Sequence, residues 1–459
     1  MPVPDAARNV FDLTDLFIYY RQFASVTGIQ RVVERLAASK CLQDDRNSVF
    51  VMRAPGTNWF AQVDKALFHG LSQPDQRLDS ISRLCSIAAH LSDYRLHQRL
   101  KKYPWKRLRR KYWGVARRVK SAAGCGHLAP FEFNDNDRVV LPGAYWTDSG
   151  VARRYAELRR RHRLHICAFV YDLIPITHPW CVDQEGARIF RDVLDTIIPN
   201  CDRFVTISKH VANEFSAYLK SCHGEQRPIL MLPFGWDFPA RAVDREAEAE
   251  TLVRYGVERR GFILVVGSLQ VRKNHMLVVR AAYNLYPRLK DRIPPILFVG
   301  KLASEFLKDE LAAIGYLDGR IRILSDVSDE ELAFLYATCR FTIFPSFVEG
   351  WGLPVQESIA FGRPCLASSA TSIPEAGLDL ATYFDPYNLP EFQTLLERWI
   401  ENPSELAVAE TRIAEHLSTR VLPTWNSSAS ALVDFVASGL TEARAKATSP
   451  AQTGEVRPS

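Results

Sequence analysis

Short apolar runs alternate with longer amphipathic stretches along almost the entire chain. That alternation predicts strands followed by helices, an α/β protein with mostly parallel sheets. In the first half, strands are expected at 10–16, 48–53, 138–141, 165–170, 203–207 and 229–232. The stretch 241–260 is charged and poor in apolar residues. After it the pattern starts afresh, with strands expected at 262–266, 296–299, 321–324, 341–344, 364–367 and 382–384. The chain thus reads as two doubly wound halves, residues 1–240 and 241–420, with ligands expected at the carboxyl ends of strands in a shared cleft. Residues 404–419 and 425–440 read as helices, the segment 421–440 being terminal. From 441 to 459 the composition turns polar with Pro and Gly, which predicts disorder.

A length of 459 residues exceeds what one core usually organises and fits two domains. The nine cysteines form no CxxC pair and no metal-ligand spacing, and several lie inside apolar runs. Reduced thiols are therefore expected, rather than a disulfide framework. No basic-then-apolar leader is visible at the start, and no stretch reaches the ~18 apolar residues needed to span a bilayer. The expectation is a cytoplasmic protein whose membrane association, if any, is peripheral.

The formal charge of +6 hides a local excess: residues 95–120 carry twelve Lys or Arg and no acid. Without them, 46 bases face 52 acids, a net of −6. This segment lies in an insert at about 91–125 and interleaves Tyr103, Trp105, Tyr112 and Trp113 with its cations. A solvated helix would normally mix in acids, and nothing around the segment resembles a nucleic-acid-binding fold. Attachment to an anionic membrane surface fits its chemistry best, with aromatics at headgroup level and about 1 kcal/mol from each basic residue near the surface.

The densest chemistry lies at 344–368, FPSFVEGWGLPVQESIAFGRPCLAS. An apolar strand gives way to Pro345-Ser346, then to a loop with Gly350 and Gly352, then to a helix carrying Glu357 eight residues after Glu349. Glycines let backbone N–H groups approach a ligand, a helix start attracts phosphate, and a carboxylate accepts two hydrogen bonds from sugar hydroxyls. The pairing suits a nucleotide sugar.

The segment Glu349-Gly350-Trp351-Gly352-Leu353-Pro354, with Glu357 as second acid, resembles the signature of family 4 retaining glycosyltransferases, a GT-B group also called glycosyl transferases group 1. Further matches follow: Gly267-Ser268-Leu269-Gln270-Val271-Arg272-Lys273-Asn274 resembles the family's G-x-L-x-x-R-K-N run, with Ser268 where some relatives have Arg. Gly28-Ile29-Gln30-Arg31 resembles its G-I-x-R loop. Tyr171-Asp172-Leu173-Ile174-Pro175 resembles H-D-L-I-P, with Tyr171 in the place of the family's His. The SDEEL run at Ser328 resembles the segment bordering the nucleobase but reads first as a capped helix start. Segments at Ser372–Gly377 and Asp385-Pro386 match downstream markers and read as structural.

The resemblance implies a GT-B fold: two facing Rossmann-like domains, the terminal helix of 421–440 packing back on the N-terminal one. It implies that Lys273 and Arg272 stabilise the departing diphosphate, that Glu349 holds sugar hydroxyls and that Asp172 lines the reacting centre. Gly350, Trp351, Gly352 and Leu353 would offer backbone donors, Glu357 would accept from the ribose, and Ser346, Gly28 and Arg31 would line the pocket. No bound metal or other cofactor is expected. The expected partners are a nucleotide sugar and a lipid-linked saccharide acceptor, not nucleic acid. The DLIPI and RKN variants resemble those of mannosyltransferases that use GDP-mannose. A non-catalytic GT-B scaffold subunit is the alternative, kept open by Tyr171.

Overall fold

The structure, a computed structural model, describes residues 7–20, 28–53, 60–72, 76–77, 79–84, 131–148, 150–224, 226–237, 245–301, 309, 312 and 317–448. The basic segment 95–120, the join expected at 240 and residues 449–459 lie outside them.

Among the described residues, strands β1 (Asn9–Asp12), β2 (Ser48–Arg53), β3 (Phe60–Val63), β4 (Arg138–Leu141), β5 (His165–Val170), β6 (Arg203–Thr206) and β7 (Ile229–Met231) form one sheet in the order β3-β2-β1-β4-β5-β6-β7. Strands β8 (Ile263–Val266), β9 (Ile296–Val299), β10 (Ile321–Leu324), β11 (Phe341–Phe344), β12 (Cys365–Ser368) and β13 (Thr382–Phe384) form a second, in the order β10-β9-β8-β11-β12-β13. Neighbours are parallel except β3, which runs antiparallel along the edge of β2. Helices cover both faces, so β1, β9, β11 and β12 are buried at every residue and read as unbroken apolar runs. The strand order reverses between β1 and β4 and between β8 and β11, the points where parallel sheets open a crevice for ligands.

Three elements depart from the sequence expectation. The first strand stops at Asp12 rather than 16, because Asp12 Oδ1 accepts from the Thr14 N–H (3.0 Å) and turns the chain. The apolar residues beyond, Leu13, Leu16, Phe17 and Tyr20, recur at helical rather than strand spacing, and Thr14–Tyr20 is a helix. The edge strand β3 has no counterpart in the sequence reading, since four residues with one exposed position carry too little alternation. The terminal helix runs from Trp425 to Thr448, eight residues into the stretch read as disordered. Its end, TEARAKAT, is made largely of strong helix formers, and propensity there outweighs polarity. Along this helix Trp425, Ala429, Leu432 and Val436 recur every three or four residues and join Val33, Leu36 and Phe234 in the core of the first half. Each large apolar side chain so buried contributes about 1.5–3 kcal/mol.

Candidate active site

Two clusters of charged residues meet where the halves face each other. The first grows from the turn after β8. Val271–Lys273 wind into one 3-10 turn before the helix His275–Leu289, and Asn274 between them adopts φ 52°, a left-handed conformation asparagine tolerates. Its Nδ2 donates to the carbonyls of Pro345 (3.1 Å) and Pro386 (3.0 Å), tying the turn to the loops after β11 and β13. Arg272 and Lys273 are thereby aimed at the switch point of the second sheet.

The loop after β11 brings Glu349 to the same place. Its Oε2 lies 2.7 Å from Arg272 Nη1 and its Oε1 2.6 Å from Lys273 Nζ, with all three side chains mostly buried. The Lys273 ammonium also sits 4.8 Å from the centroid of the Phe344 ring. Burial alone would raise the Glu349 carboxyl, but the two cations overcome it and hold it down to about 2. Burial pulls the Lys273 ammonium down to about 8 against the attraction of Glu349. The loop is braced from beneath: the Glu349 N–H donates to Thr371 Oγ1 (3.0 Å), and its carbonyl accepts from Thr371 Oγ1 (3.0 Å) and Ser372 Oγ (2.7 Å).

From the first half, Asp172 follows β5, its Oδ1 accepting from the Ile174 N–H (3.0 Å). Gly350 crosses directly over this turn: a Cβ there would stand 2.1 Å from the Tyr171 carbonyl oxygen, so only glycine permits the approach. The crossing puts Asp172 within electrostatic reach of Arg272 and Glu349, and burial pushes its carboxyl up to about 6 despite the attraction of Arg272.

The second cluster joins Arg31 to Glu357. Glu357, buried in the helix Leu353–Ala360, accepts from Arg31 Nη1 on Oε1 (2.5 Å) and from the Tyr336 hydroxyl on Oε2 (2.8 Å). Arg31 also reaches Asp329 (3.0 Å), which Arg77 approaches from the same side (3.4 Å). Lys273 lies within electrostatic range of Glu357, so both clusters belong to one cleft.

Arg272, Lys273, Glu349, Asp172 and Gly350 are thus brought together, as are Arg31 and Glu357. Ser346 is fully buried beside them, its hydroxyl without a partner among the described residues. Gly28 precedes the helix Ile29–Ala38 with φ 53° and is exposed, and residues 25–27 before it lie outside the described set. Trp351 and Leu353, expected to offer backbone donors, pack their side chains on the core of the first half. Trp351 stacks edge-on against Phe234 (5.6 Å), and its Nε1 donates to Gln356 Oε1 (2.8 Å). Gly352 forms the start of the helix Leu353–Ala360. Tyr171, in the position of the family's His, is buried and donates its hydroxyl to the Pro142 carbonyl (2.6 Å), pointing into its own domain.

Sequence reasoning missed four residues. Asp329, in a run that reads first as a capped helix start, is left to Arg31, since Ser328 and Glu331 form the capping box. Glu375, read as structural, spans the halves: its carboxylate accepts from the N–H groups of Lys209 (2.7 Å) and His210 (2.8 Å) at the start of the helix Lys209–Tyr218. Asn274 and Tyr336 orient the basic turn and Glu357. Asn274, Asp329 and Glu375 lie in runs that match family segments, whereas Tyr336 carries no such signal. Among the described residues no group of three or more His, Cys, Asp or Glu is placed to hold a metal ion.

Residues 253–415 match the model of the family described as glycosyl transferases group 1. The matched segment includes the basic turn, Glu349 and Glu357, the residues around which the cleft is built. Over 162 residues the chain is 32% identical to O-antigen chain mannosyltransferase B of Escherichia coli, covering 35% of this chain and 42% of that protein. Over 246 residues it is 34% identical to the MMP alpha-(1->4)-mannosyltransferase of Mycolicibacterium hassiacum, covering 50% and 56%. The chain therefore spans only about half the length of these two relatives. Among solved structures, Anabaena HepE in complex with UDP-glucose aligns over 95% of this chain and all of its own, with a TM-score of 0.57 at 13% identity. Sucrose-phosphate synthase from Thermosynechococcus elongatus gives 0.56 at 14% identity, again over 95% of this chain. These likenesses concern the fold, which is GT-B.

Proposed function

We propose that the protein is a retaining glycosyltransferase that moves a hexose, mannose from GDP-mannose in the first instance, to a lipid-linked or polysaccharide acceptor in the assembly of a surface polysaccharide. The observation that carries this reading is the buried Arg272–Lys273–Glu349 group at the switch point of the second sheet, facing Asp172. A diphosphate gains negative charge as its bond to the sugar breaks, so fixed cations beside it act more strongly in the transition state than in the ground state. Arg272 and Lys273 take that role. Glu349, ionised throughout the working pH range, orients sugar hydroxyls. Reaction on one face of the sugar lets a donor phosphate oxygen take the acceptor's proton, and no metal is assigned a part. Glu357 keeps lone pairs beyond those used by Arg31 and Tyr336, and these accept from the ribose.

The mannosyl assignment rests on the relatives' printed names and on the DLIPI and RKN runs. The acceptor class rests on the O-antigen relative and on the basic segment 95–120, which would hold the protein at an anionic membrane surface on the cytoplasmic side. No helix among the described residues is long and apolar enough to cross a membrane. Tyr171, in the place of the family's His and buried with its hydroxyl on the Pro142 carbonyl, keeps a non-catalytic scaffold as the second reading.

Thermal unfolding with GDP, UDP, ADP and dTDP tests the donor site. A ligand at a hundred times its Kd adds about 2.7 kcal/mol. One nucleotide should stabilise most, with the gain reduced in Lys273→Ala; no gain from any of them would favour the scaffold.

A further inference from the structure

We propose that an exposed aromatic strip at the mouth of the cleft is the subsite for the acceptor saccharide. The inference rests on the glycosyltransferase reading and deepens it. Three rings from three separate loops line up there. Trp180, in the short turn Pro179–Cys181 of the first half, is 52% exposed; Tyr387, after β13, is 68% exposed; Phe347, after β11, lies half-buried between them. The Trp180 and Phe347 centroids are 5.5 Å apart at 73°, and those of Phe347 and Tyr387 are 4.9 Å apart at 29°. Large rings this exposed leave apolar surface in water at a cost, and a row of them marks a binding surface.

The strip is continuous with the charged cluster. The Phe347 N–H donates to the Arg272 carbonyl (2.9 Å), and Phe347 stands two residues before Glu349. Pro386, next to Tyr387, accepts from the same Asn274 amide that fixes the basic turn. Cys181, next to Trp180, lies within electrostatic range of Arg272, Asp172 and Glu349. Whatever rests on these rings therefore reaches the reacting centre.

The chemistry selects a sugar. A pyranose presents one face of C–H groups, slightly positive, to the negative face of an aromatic ring, and keeps its hydroxyls at the edge for polar partners. Exposed Thr177 and Asn388, with half-buried His178, supply a polar rim, whereas no lysine or arginine neighbours the rings in sequence to favour a lipid headgroup. Phe347 turns one face to Tyr387 and meets Trp180 edge-on, so the ring faces offered to a sugar are those of the exposed Trp180 and Tyr387. Because Trp180 belongs to one half and the other two rings to the second, the strip is complete only while the halves face each other.

The test uses the full chain with GDP present and α-linked mannotriose as probe, its binding followed by titration calorimetry. Trp180→Ala and Tyr387→Ala should each raise the Kd for mannotriose by about tenfold, the loss expected for removing one stacked ring. Trp180→Phe should stay close to the parent, and stabilisation by GDP should be the same in all. Unchanged affinity in both alanine variants, or no binding of mannotriose by the parent, would overturn the proposal. So would loss of binding to phosphatidylglycerol vesicles in the variants while mannotriose binding held, which would give the strip to a lipid surface. The GDP arm reads the donor site separately, so a failed donor reading and a failed acceptor strip give different results.

Discussion

With Arg272 and Lys273 within 2.7 Å of it, the Glu349 carboxylate balances two largely buried cations that a diphosphate would otherwise meet unscreened. Removing one partner of such a group leaves uncompensated buried charge, which costs more than the pair contributes. Glu349→Gln should therefore lower stability by about 3 kcal/mol in urea denaturation, while GDP should stabilise this variant more than the parent because its phosphates replace the missing anion. Equal stability of variant and parent would contradict the ion-pair geometry. The folded-state carboxyl is depressed from 4.5 to about 2, so its stabilisation is complete above pH 4.5 and lost as the pH falls toward 2. Glu349→Gln should lack that loss at acid pH. Lys273, lowered to about 8, holds its proton below that pH and loses it above. Affinity for nucleoside diphosphates should accordingly fall as the pH rises through 8, and Lys273→Arg, charged throughout, should flatten the profile.

At the scale of elements, the halves meet through contacts that small changes would break. Gly350 lies against the Tyr171 carbonyl with no room for a Cβ, so Gly350→Ala should lift the loop after β11 off the first half. The expected result is loss of transfer with little change in far-UV circular dichroism, and a larger radius of gyration in solution scattering; an active, equally compact variant would contradict the crossing. Glu375 caps the helix Lys209–Tyr218 from across the cleft, and Glu375→Ala should cost about 1 kcal/mol in urea denaturation. Much of the scaffold was legible in the chain, because strands buried on both faces announce themselves as apolar runs; most of those expected appear within a residue or two of their place. The four-residue edge strand β3 was not legible, nor was the end of β1 at an aspartate turn. The same asymmetry holds in the cleft. Arg272, Lys273, Glu349 and Glu357 stand in local patterns, whereas Asp329, Glu375 and Tyr336 act through partners far away in the chain, and spacing along a sequence carries no trace of such partners.

Across the whole molecule, charge is segregated. The described cleft balances its cations with Glu349, Glu357, Asp329 and Asp172, while the net positive charge of the chain comes from residues 95–120. Neutralising the six bases between Arg107 and Arg118 should release the protein from anionic liposomes, at about 1 kcal/mol per residue, and leave GDP-induced stabilisation intact. Unaltered co-sedimentation would sink the membrane assignment alone. The polar joint of Arg31 with Glu357 and Asp329, the Glu375 cap and the aromatic strip all span the two halves.

The most direct test of the central claim is product analysis by NMR after incubating the pure protein with GDP-α-mannose and α-linked mannotriose, alongside Lys273→Ala. The account predicts GDP release matched by a new α-linked mannosyl residue, with kcat at saturating donor sharply lower in the variant. A β-linked product, or no GDP release from the parent, would contradict it.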